Sequence, residues 1–246
     1  MSYKILSIGA HNDECEFCTG GVSYLLSRMG CEVLYVNPAC LWHKKDIDEA
    51  TKALYSKQEC EAAEVLGAKK LVIGDRDGQI LAPTTELTVE LEKIILDFSP
   101  DIVFIHWPRD NHVEHRMVAK LSYEALSIAW VHGAHFKEVY AFESGLNQTT
   151  DYFRPDFMID VEEALPALEK SCLCFDQNTA NGSGLYNEKF IQLSARGRQN
   201  RMKYAEGYKI IKYPNRNEDI LLKKLLGDKF VWNGNGMYPA HGEYYF

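Results

Sequence analysis

The sequence lacks any apolar run that approaches the ~20 residues a helix needs to cross a bilayer, so we expect no membrane span. It also lacks a basic excess, since 27 Lys and Arg stand against 35 Asp and Glu and give a formal net charge of −8. A general nucleic-acid binder needs a basic patch that neutralises phosphates, so nucleic acid is not expected as a partner. A small-molecule substrate fits this balance better, and a homo-oligomer is compatible with it.

A disulfide framework and a signal-peptide core are absent as well. The seven cysteines are scattered and odd in number, and the apolar run that begins at Ile5 is too short for a signal core. Both absences favour a cytoplasmic protein with reduced thiols. Cys15 and Cys18 have C-x-x-C spacing, but no second pair follows, so we interpret them as small buried residues of a helix.

Apolar segments typical of buried strands alternate with segments of helical period, and no internal repeat or low-complexity linker interrupts them. The predicted strands cover residues 3–9, 32–37, 70–74, 101–106, 138–143 and a segment near 156–161. The predicted helices cover about 19–30, 46–66, 84–98, 114–131, 162–174 and 188–206. This alternation predicts an α/β fold with a Rossmann-like wound, mainly parallel sheet flanked by helices. The length fits a single domain, residues 1–246, with a core at about 3–208 and an irregular C-terminal cap at about 209–246.

A dense polar cluster, Ala10-His11-Asn12-Asp13-Glu14-Cys15-Glu16, directly follows the first predicted strand. Ligands bind at the carboxyl ends of the strands in open α/β sheets, so this position favours a functional interpretation. The two glycines that follow, Gly20 and Gly21, do not form a G-x-G-x-x-G phosphate loop, and the nearby carboxylates would repel phosphate. We expect these glycines to allow a close approach between helix and sheet.

A second polar cluster, residues 106–116, directly follows the fourth predicted strand. If the strand order reverses beside the first strand, the first and fourth strands are neighbours and their loops face one crevice. His11, Glu14 and His115 could then meet around one ion, because two imidazoles and a carboxylate form a ligand set typical of catalytic zinc. His112 lies three residues before His115, so the two rings can serve different roles at one site.

Residues 10–21 align without a gap to A-H-P-D-D-x-E-x-x-x-G-G, and residues 112–116 align to H-P-D-H-R. In these two motifs the chain resembles the PIG-L/LmbE-like family of zinc-dependent N-acetylglucosamine deacetylases. Weaker matches follow in order at residues 59–67, 77–78, 140–143 and 204–208. The resemblance therefore covers roughly residues 3–208.

The resemblance implies a LmbE-like fold and a hydrolase that removes the N-acetyl group from an amino sugar or a GlcNAc-containing glycoconjugate. It implies a zinc ion, and Fe²⁺ or another divalent ion could occupy the same nitrogen and oxygen ligands. The residues that carry the implied roles are the metal ligands His11, Glu14 and His115, the general base Asp13, the oxyanion-stabilising His112 and the histidine-orienting Glu114. As substrate contacts we name Asn12, Arg109 and Arg116; the two arginines could hold an anionic or hydroxyl-rich part of the substrate or could be surface charges.

Four positions depart from the family motifs, and one of them is Glu114, which stands where the second motif has aspartate. Asn12 and Val113 stand where the family has proline, and Glu14 stands where it has an aspartate ligand. The extra methylene of Glu14 moves the carboxylate outward by more than ~1 Å, so we expect a rearranged site in which Asp13 and Glu14 could also exchange roles. Two alternatives stay open: an amidase acting on a non-sugar N-acyl small molecule, and a catalytically impaired relative that binds a ligand.

The neighbours of the two clusters have expected structural roles. Asp110 is expected to cap the following helix. His106 and Trp107 are expected to line the wall of the pocket or to pack beneath it, and Glu16 is expected to support the first loop.

Overall fold

Strands and helices alternate along the chain in the computed structural model, which describes residues 2–38, 48–74, 83–145, 153–175, 182–212 and 220–233. The strands are β1 (Lys4–Ile8), β2 (Glu32–Pro38), β3 (Ala68–Ile73), β4 (Ile102–His106), β5 (Glu138–Phe142), β6 (Phe157–Asp160), β7 (Ala205–Lys212) and β8 (Phe230–Trp232). The α-helices are α1 (Glu14–Arg28), α2 (Glu49–Val65), α3 (Thr85–Phe98), α4 (Val113–Val131), α5 (Leu165–Leu173), α6 (Gly182–Gln199) and α7 (Leu221–Leu226). None of the helices in these ranges is both long and apolar enough to cross a membrane.

The eight strands form one sheet in the order β3-β2-β1-β4-β5-β7-β6-β8. Strands β1 to β5 are parallel, whereas β7 pairs antiparallel with β5 and β6, and β8 pairs antiparallel with β6. The chain winds outward from β1 to β3 and then crosses to β4 on the other side of β1, where Ser7 is in register with Phe104. This reversal confirms the wound sheet, and it opens a crevice at the carboxyl ends of β1 and β4.

Two apolar cores cover the two faces of the sheet. Alternate strand residues such as Ile5 and Phe104 pack against α1 and α5 on one face. Their neighbours Leu6 and Val103 pack against α3 and α4 on the other. Because β1 and β4 are buried on both faces, they read as near-continuous apolar runs in the sequence.

The glycine pair of α1 confirms the expected close approach to the sheet at Gly21, where an added Cβ atom would lie 2.9 Å from Glu206 of β7, and it adds a close approach to α5 at Gly20. A Cβ atom on Gly20 would lie 2.8 Å from Leu168, and one on Gly21 would lie 2.7 Å from Val161. Larger side chains at these positions would push α1 away from α5 and from the sheet, and would displace the first residues of α1 with it.

Some element bounds differ from the sequence-based expectation. Helix α1 begins at Glu14 rather than near residue 19, because carboxylates in a first turn are stabilised by the helix dipole even where the apolar period is absent. Helix α6 ends at Gln199, and residues expected to continue it form the antiparallel strand β7. Beyond residue 209 no further parallel unit is found in the described ranges, although α7 and β8 add regular structure there. The weak family match at residues 77–78 lies outside the described residues.

Candidate functional site

The two polar clusters meet at the switch point of the sheet. His11 lies in the short loop after β1, and Glu14 begins α1. His112 is the N-cap of α4, and His115 lies in the first turn of this helix. Since β1 and β4 are paired neighbours, the loops that follow them converge in the crevice.

Three atoms from the two clusters form a small triangle. The Nδ1 atom of His11 lies 3.1 Å from Oε1 of Glu14 and 3.3 Å from Nε2 of His115, and that Nε2 atom also contacts Oε1 of Glu14. Ligand atoms of a tetrahedral zinc site stand about 3.3 Å apart, given bonds of about 2.0–2.1 Å. The three side chains are buried, with exposed fractions of 3%, 7% and 5% in chain order. Both the donor types and their spacing therefore fit a divalent metal.

His112 stands beside this triangle. One ligand atom from each of His11, His112 and His115 lies within 4.8 Å of the others, and the rings of His112 and His115 stack with centroids 4.4 Å apart. The Nδ1 atom of His112 accepts a hydrogen bond from the backbone N–H of Glu114 at 3.3 Å. A neutral ring that accepts at Nδ1 carries its proton on Nε2 and can donate it. His112 is thus suited to donate a hydrogen bond rather than to bind the metal through Nε2.

Carboxylates lie behind two of the three histidines. Oε2 of Glu114 lies 2.9 Å from Nε2 of His11, and Oδ1 of Asp110 lies 3.1 Å from Nδ1 of His115. The hydroxyl of Ser144 donates to Oδ2 of Asp110 at 2.7 Å and lies 3.1 Å from Nδ1 of His115. Such partners hold the proton on the outer ring nitrogen and leave the inner nitrogen available as a ligand.

The charges of the cluster shift its pKa values strongly. Burial opposes ionisation of Glu14, but His106, His115 and His11 outweigh it and hold the pKa of Glu14 well below its usual range. Burial also opposes charge on His11, yet Glu14 and Glu114 raise the pKa of His11 to about 10. In the same way Glu14 and Asp110 overcome burial and raise the pKa of His115 to about 9. Without a metal, two of the three triangle residues therefore retain protons at neutral pH.

Asp13 and His112 flank the triangle, and the pKa of each is shifted in the direction that favours its uncharged form. Loss of water, followed by the negative charge of Glu14, raises the pKa of the half-buried Asp13 carboxyl. Burial, followed by His115 and His11, lowers the pKa of the His112 ring. The side chain of Asp13 accepts no capping hydrogen bond from α1, although this residue occupies the N-cap position. Its carboxylate is therefore not engaged in holding the helix end.

A buried lysine on β3 holds the loop between β1 and α1 in place. The ammonium of Lys70 donates to the carbonyl oxygen of Asn12 at 2.9 Å and to both carboxylate oxygens of Glu16 at 2.8 and 2.9 Å. On the neighbouring strand, the side-chain amide of Asn37 donates to the carbonyl oxygen of His11. These contacts confirm that Glu16 supports the loop, and they hold the backbone on both sides of Asn12.

The two arginines of the second cluster occupy different environments. Arg109 lies three residues after the end of β4 and is exposed. Arg116 is half-buried, and its Nη1 atom donates to the carbonyl oxygens of Asp110 and Asn111, which closes the loop before α4. The roles of these arginines and of Asn12 as substrate contacts remain predictions.

Several residues at the site have roles that sequence patterns did not reveal. His106 was expected to line the pocket wall or to pack beneath it; it is buried, and its Nε2 atom lies 2.7 Å from Oε2 of Glu14, a contact that the sequence did not predict. Asp110 was expected to cap the following helix, but the N-cap of α4 is His112, because the helix begins at Val113. Asp110 instead accepts a hydrogen bond from the backbone N–H of His112 at 2.7 Å and contacts His115. Ser144 follows β5 and Lys70 lies on β3, and no local sequence pattern indicated a role for either residue at the site. Cys15, by contrast, is a buried thiol as expected, and burial raises its pKa to about 12.

Comparison with known proteins adds a sequence relationship to this geometry. A model of the PIG-L family, described as GlcNAc-PI de-N-acetylase, matches residues 6–126. The diacetylchitobiose deacetylase of Thermococcus kodakarensis is 24% identical over 224 residues, which cover 85% of this chain and 83% of that protein. Residues 6–126, which match the family model, contain both polar clusters.

Solved structures share the fold over most of the chain. The 4-carboxy-2-hydroxymuconate hydratase GalB of Pseudomonas putida superposes with a TM-score of 0.74 at 23% identity, over 89% of this chain and 99% of that one. The N,N′-diacetylchitobiose deacetylase of Pyrococcus horikoshii superposes with a TM-score of 0.65 at 22% identity, over 85% and 84% of the two chains. At these identities the likeness establishes the fold.

Proposed function

Since the chain belongs to the PIG-L family, we propose that it is a metal-dependent hydrolase that removes the N-acetyl group from an amino sugar or a GlcNAc-containing glycoconjugate. The observation that carries this proposal is the triangle of His11 Nδ1, Glu14 Oε1 and His115 Nε2. Two imidazoles and one carboxylate leave a coordination position open, which is the arrangement of catalytic rather than structural sites.

We assign the metal to these three residues and take zinc as its first candidate, with Fe²⁺ as a second. When bound, a divalent ion would supply Lewis-acid chemistry, polarising a water molecule and an amide carbonyl. Glu114 and Asp110 would keep His11 and His115 in the tautomers that ligation requires.

Asp13 is the proposed general base. It neighbours the ligand Glu14 in the chain, and its raised pKa makes its carboxylate a stronger base than an exposed aspartate. In the reaction Asp13 accepts a proton as the water oxygen bonds to the carbonyl carbon. The same proton then moves to the amide nitrogen as the C–N bond breaks, which releases the free amine and acetic acid, and the acid loses its proton to the solvent to give acetate.

His112 is the proposed donor to the carbonyl oxygen. Its Nε2–H, fixed by the hydrogen bond at Nδ1, would meet the negative charge that develops on that oxygen. Asn12, Arg109 and Arg116 are proposed to contact the substrate around this centre, with the exposed Arg109 best situated for the hydroxyl-rich or anionic part beyond the acetyl group.

The proposal is tested by metal analysis of protein purified without added zinc, together with acetate release from N-acetylglucosamine and N,N′-diacetylchitobiose. We expect one metal per chain and acetate release that a chelator abolishes and zinc restores. Metal without release from any amino sugar, but with release from a non-sugar N-acetyl amine, would replace the sugar substrate with the amidase alternative.

Two further outcomes contradict hydrolysis itself. The fold also occurs in a hydratase, so water addition to 4-carboxy-2-hydroxymuconate is assayed in parallel, and turnover there alone would overturn the deacetylase assignment. Ligand binding that is unchanged in Asp13→Ala, with no metal and no turnover, would favour the catalytically impaired relative.

A further inference from the structure

Glu14 is longer than the aspartate of the family motif, and its carboxylate needs a fixed position if it is to serve as a ligand. Its two oxygens have different surroundings. Oε1 faces His11 and His115, whereas Oε2 lies 2.7 Å from the backbone nitrogen of Ala10, 3.1 Å from that of His11 and 2.7 Å from Nε2 of His106. The orientation of the metal-facing oxygen is thus determined by the donors on the opposite oxygen.

Among the donors that the described structure gives to Oε2, His106 alone comes from a different strand. Ala10 and His11 belong to the loop that Glu14 itself follows, so their N–H groups move with that loop. His106 ends β4 and is 1% exposed. Its ring stacks on that of His115, with centroids 4.8 Å apart, and packs against Phe142 at 4.6 Å. The imidazole of His106 is therefore held in place by packing, independently of the loop that precedes Glu14.

The proton between His106 and Glu14 can be assigned. The backbone nitrogen of Ala10 lies 3.0 Å from Nε2 of His106 and closer, at 2.7 Å, to Oε2 of Glu14. A contact of 2.7 Å between a ring nitrogen and a carboxylate oxygen requires a hydrogen atom between them, and a carboxylate that serves as a metal ligand carries no proton, so the proton belongs to Nε2 of His106. Both the ring and the backbone N–H then donate to the same carboxylate oxygen.

We propose that His106 is a positioning residue that orients Glu14 as a metal ligand. Through this contact glutamate, and not aspartate, can serve as the ligand at position 14. This inference rests on the proposed function, because it concerns a ligand of the proposed metal centre. An aspartate would withdraw the carboxylate by about one bond, ~1.5 Å, and could not reach His106 and the histidines of the triangle together.

The test compares His106→Gln, His106→Asn and His106→Leu by competition of Zn²⁺ against a chromophoric chelator and by the visible absorption spectrum of the Co²⁺-loaded proteins. The amide nitrogen of Gln lies near the former Nε2 position, whereas that of Asn lies near the Nδ1 position. We expect His106→Leu and His106→Asn to weaken Zn²⁺ binding by about 10–100-fold and to alter the Co²⁺ spectrum, with most of the affinity retained in His106→Gln. Thermal unfolding of the metal-free variants establishes that each is folded.

A double-mutant cycle with Glu14→Asp gives a second criterion. Because aspartate cannot reach His106, adding His106→Leu to Glu14→Asp should change Zn²⁺ affinity less than twofold. Equal Zn²⁺ affinity of the wild type and His106→Leu, or loss of affinity in His106→Gln as severe as in His106→Asn, would overturn the role of His106.

The outcomes separate this inference from the proposed function. Zn²⁺ binding that depends on His106, without acetate release from any substrate, would leave the positioning role intact and contradict the deacetylase. Acetate release with Zn²⁺ affinity independent of His106 would do the reverse. A wild-type protein that binds neither Zn²⁺ nor Co²⁺ would contradict both.

Discussion

The Nδ1 atom of His11 lies 3.3 Å from the Nε2 atom of His115, so two rings separated by 104 residues meet in the candidate site. Both rings have raised pKa values, and the same oxygen of Glu14 contacts both. The cluster holds its protons because that carboxylate is ionised between them. Since a metal needs the unprotonated nitrogens, protons and metal compete for the same atoms.

The first prediction concerns this competition. With pKa values of about 10 for His11 and about 9 for His115, both rings are charged at pH 7 in the metal-free protein. Zn²⁺ binding should release about two protons at pH 7, and the affinity should rise as pH increases from 6 to 9. Titration calorimetry in two buffers of different ionisation enthalpy counts the protons. Binding without proton release would exclude His11 and His115 as the ligands.

The second prediction separates Asp13 from Glu14. Asp13→Asn should retain the metal and lower kcat by about 10²–10⁴-fold, the range typical of a lost general base. Glu14→Gln is isosteric but removes the charged ligand, so it should lose the metal. Metal content and kcat are measured on the same preparations, and the opposite pattern would show that the two carboxylates have exchanged roles.

The acid limb of the pH profile of kcat/KM gives an independent check on Asp13. Burial and Glu14 raise its pKa above the ordinary 3.8, so the basic form is lost at a higher pH than for an exposed aspartate. Activity should therefore fall as pH decreases through this raised value. An acid limb that persists unchanged in the residual activity of Asp13→Asn would assign it to another group.

The third prediction concerns the carboxylates behind the histidines. Glu114→Gln and Asp110→Asn should each weaken Zn²⁺ binding by about 10–100-fold, because a neutral amide is a weaker acceptor than a carboxylate and can also donate to the ring, so it no longer fixes the proton on the outer ring nitrogen. Asp97→Asn, on the exposed part of α3, serves as the control and should bind Zn²⁺ as the wild type does. Equal affinities in all three variants would remove both carboxylates from the metal centre.

The fourth prediction tests the support of α1. The ammonium of Lys189 lies 2.8 Å from Glu206, and both side chains are buried. Glu206 also accepts the backbone N–H groups of Gly21 and Val22 at 3.0 and 2.8 Å. Lys189→Met leaves this carboxylate buried without its cation, and should lower the unfolding free energy by about 3 kcal/mol.

The control for this change is the exposed pair of Lys203 and Glu162, 2.7 Å apart. Lys203→Met should leave the urea midpoint within experimental error, since solvent screens such a pair. Similar losses in both variants would mean that burial does not distinguish the two pairs.

The sequence predicted the wound sheet well because β1 and β4, buried on both faces, leave continuous apolar runs. The placement of both polar clusters after those strands then predicted their meeting at the switch point. Strand β7 was not predicted, because its first two residues were taken as the end of the helix predicted at about 188–206 and its remainder fell near the start of the expected irregular cap, and its strand form depends on pairing with β5 and β6. Tertiary pairing overrides local preference there.

The supporting residues of the site were harder to predict than its candidate ligands. The contact between His106 and Glu14 joins residues 92 positions apart, and it depends on which carboxylate oxygen of Glu14 faces the end of β4. Asp110 has the local signal of a capping residue, but His112 is the N-cap of α4, and Asp110 contacts His112 and His115 in the loop and first turn there. Residue spacing reveals groups that lie on one turn or one loop, whereas these contacts depend on the packing of separate elements.

The triangle of His11, Glu14 and His115 brings together residues at the starts of two helices that pack on opposite faces of the sheet. Helix α1 belongs to the core on one face of the sheet, and α4 belongs to the core on the other. An ion held by both helix starts would act as a cross-link that closes a loop of about a hundred residues, comparable in span to a long-range disulfide. Binding of the ion would therefore couple the local unfolding of α1 to that of α4. Amide hydrogens in both helices would then exchange more slowly in the metal-bound protein than in the metal-free protein.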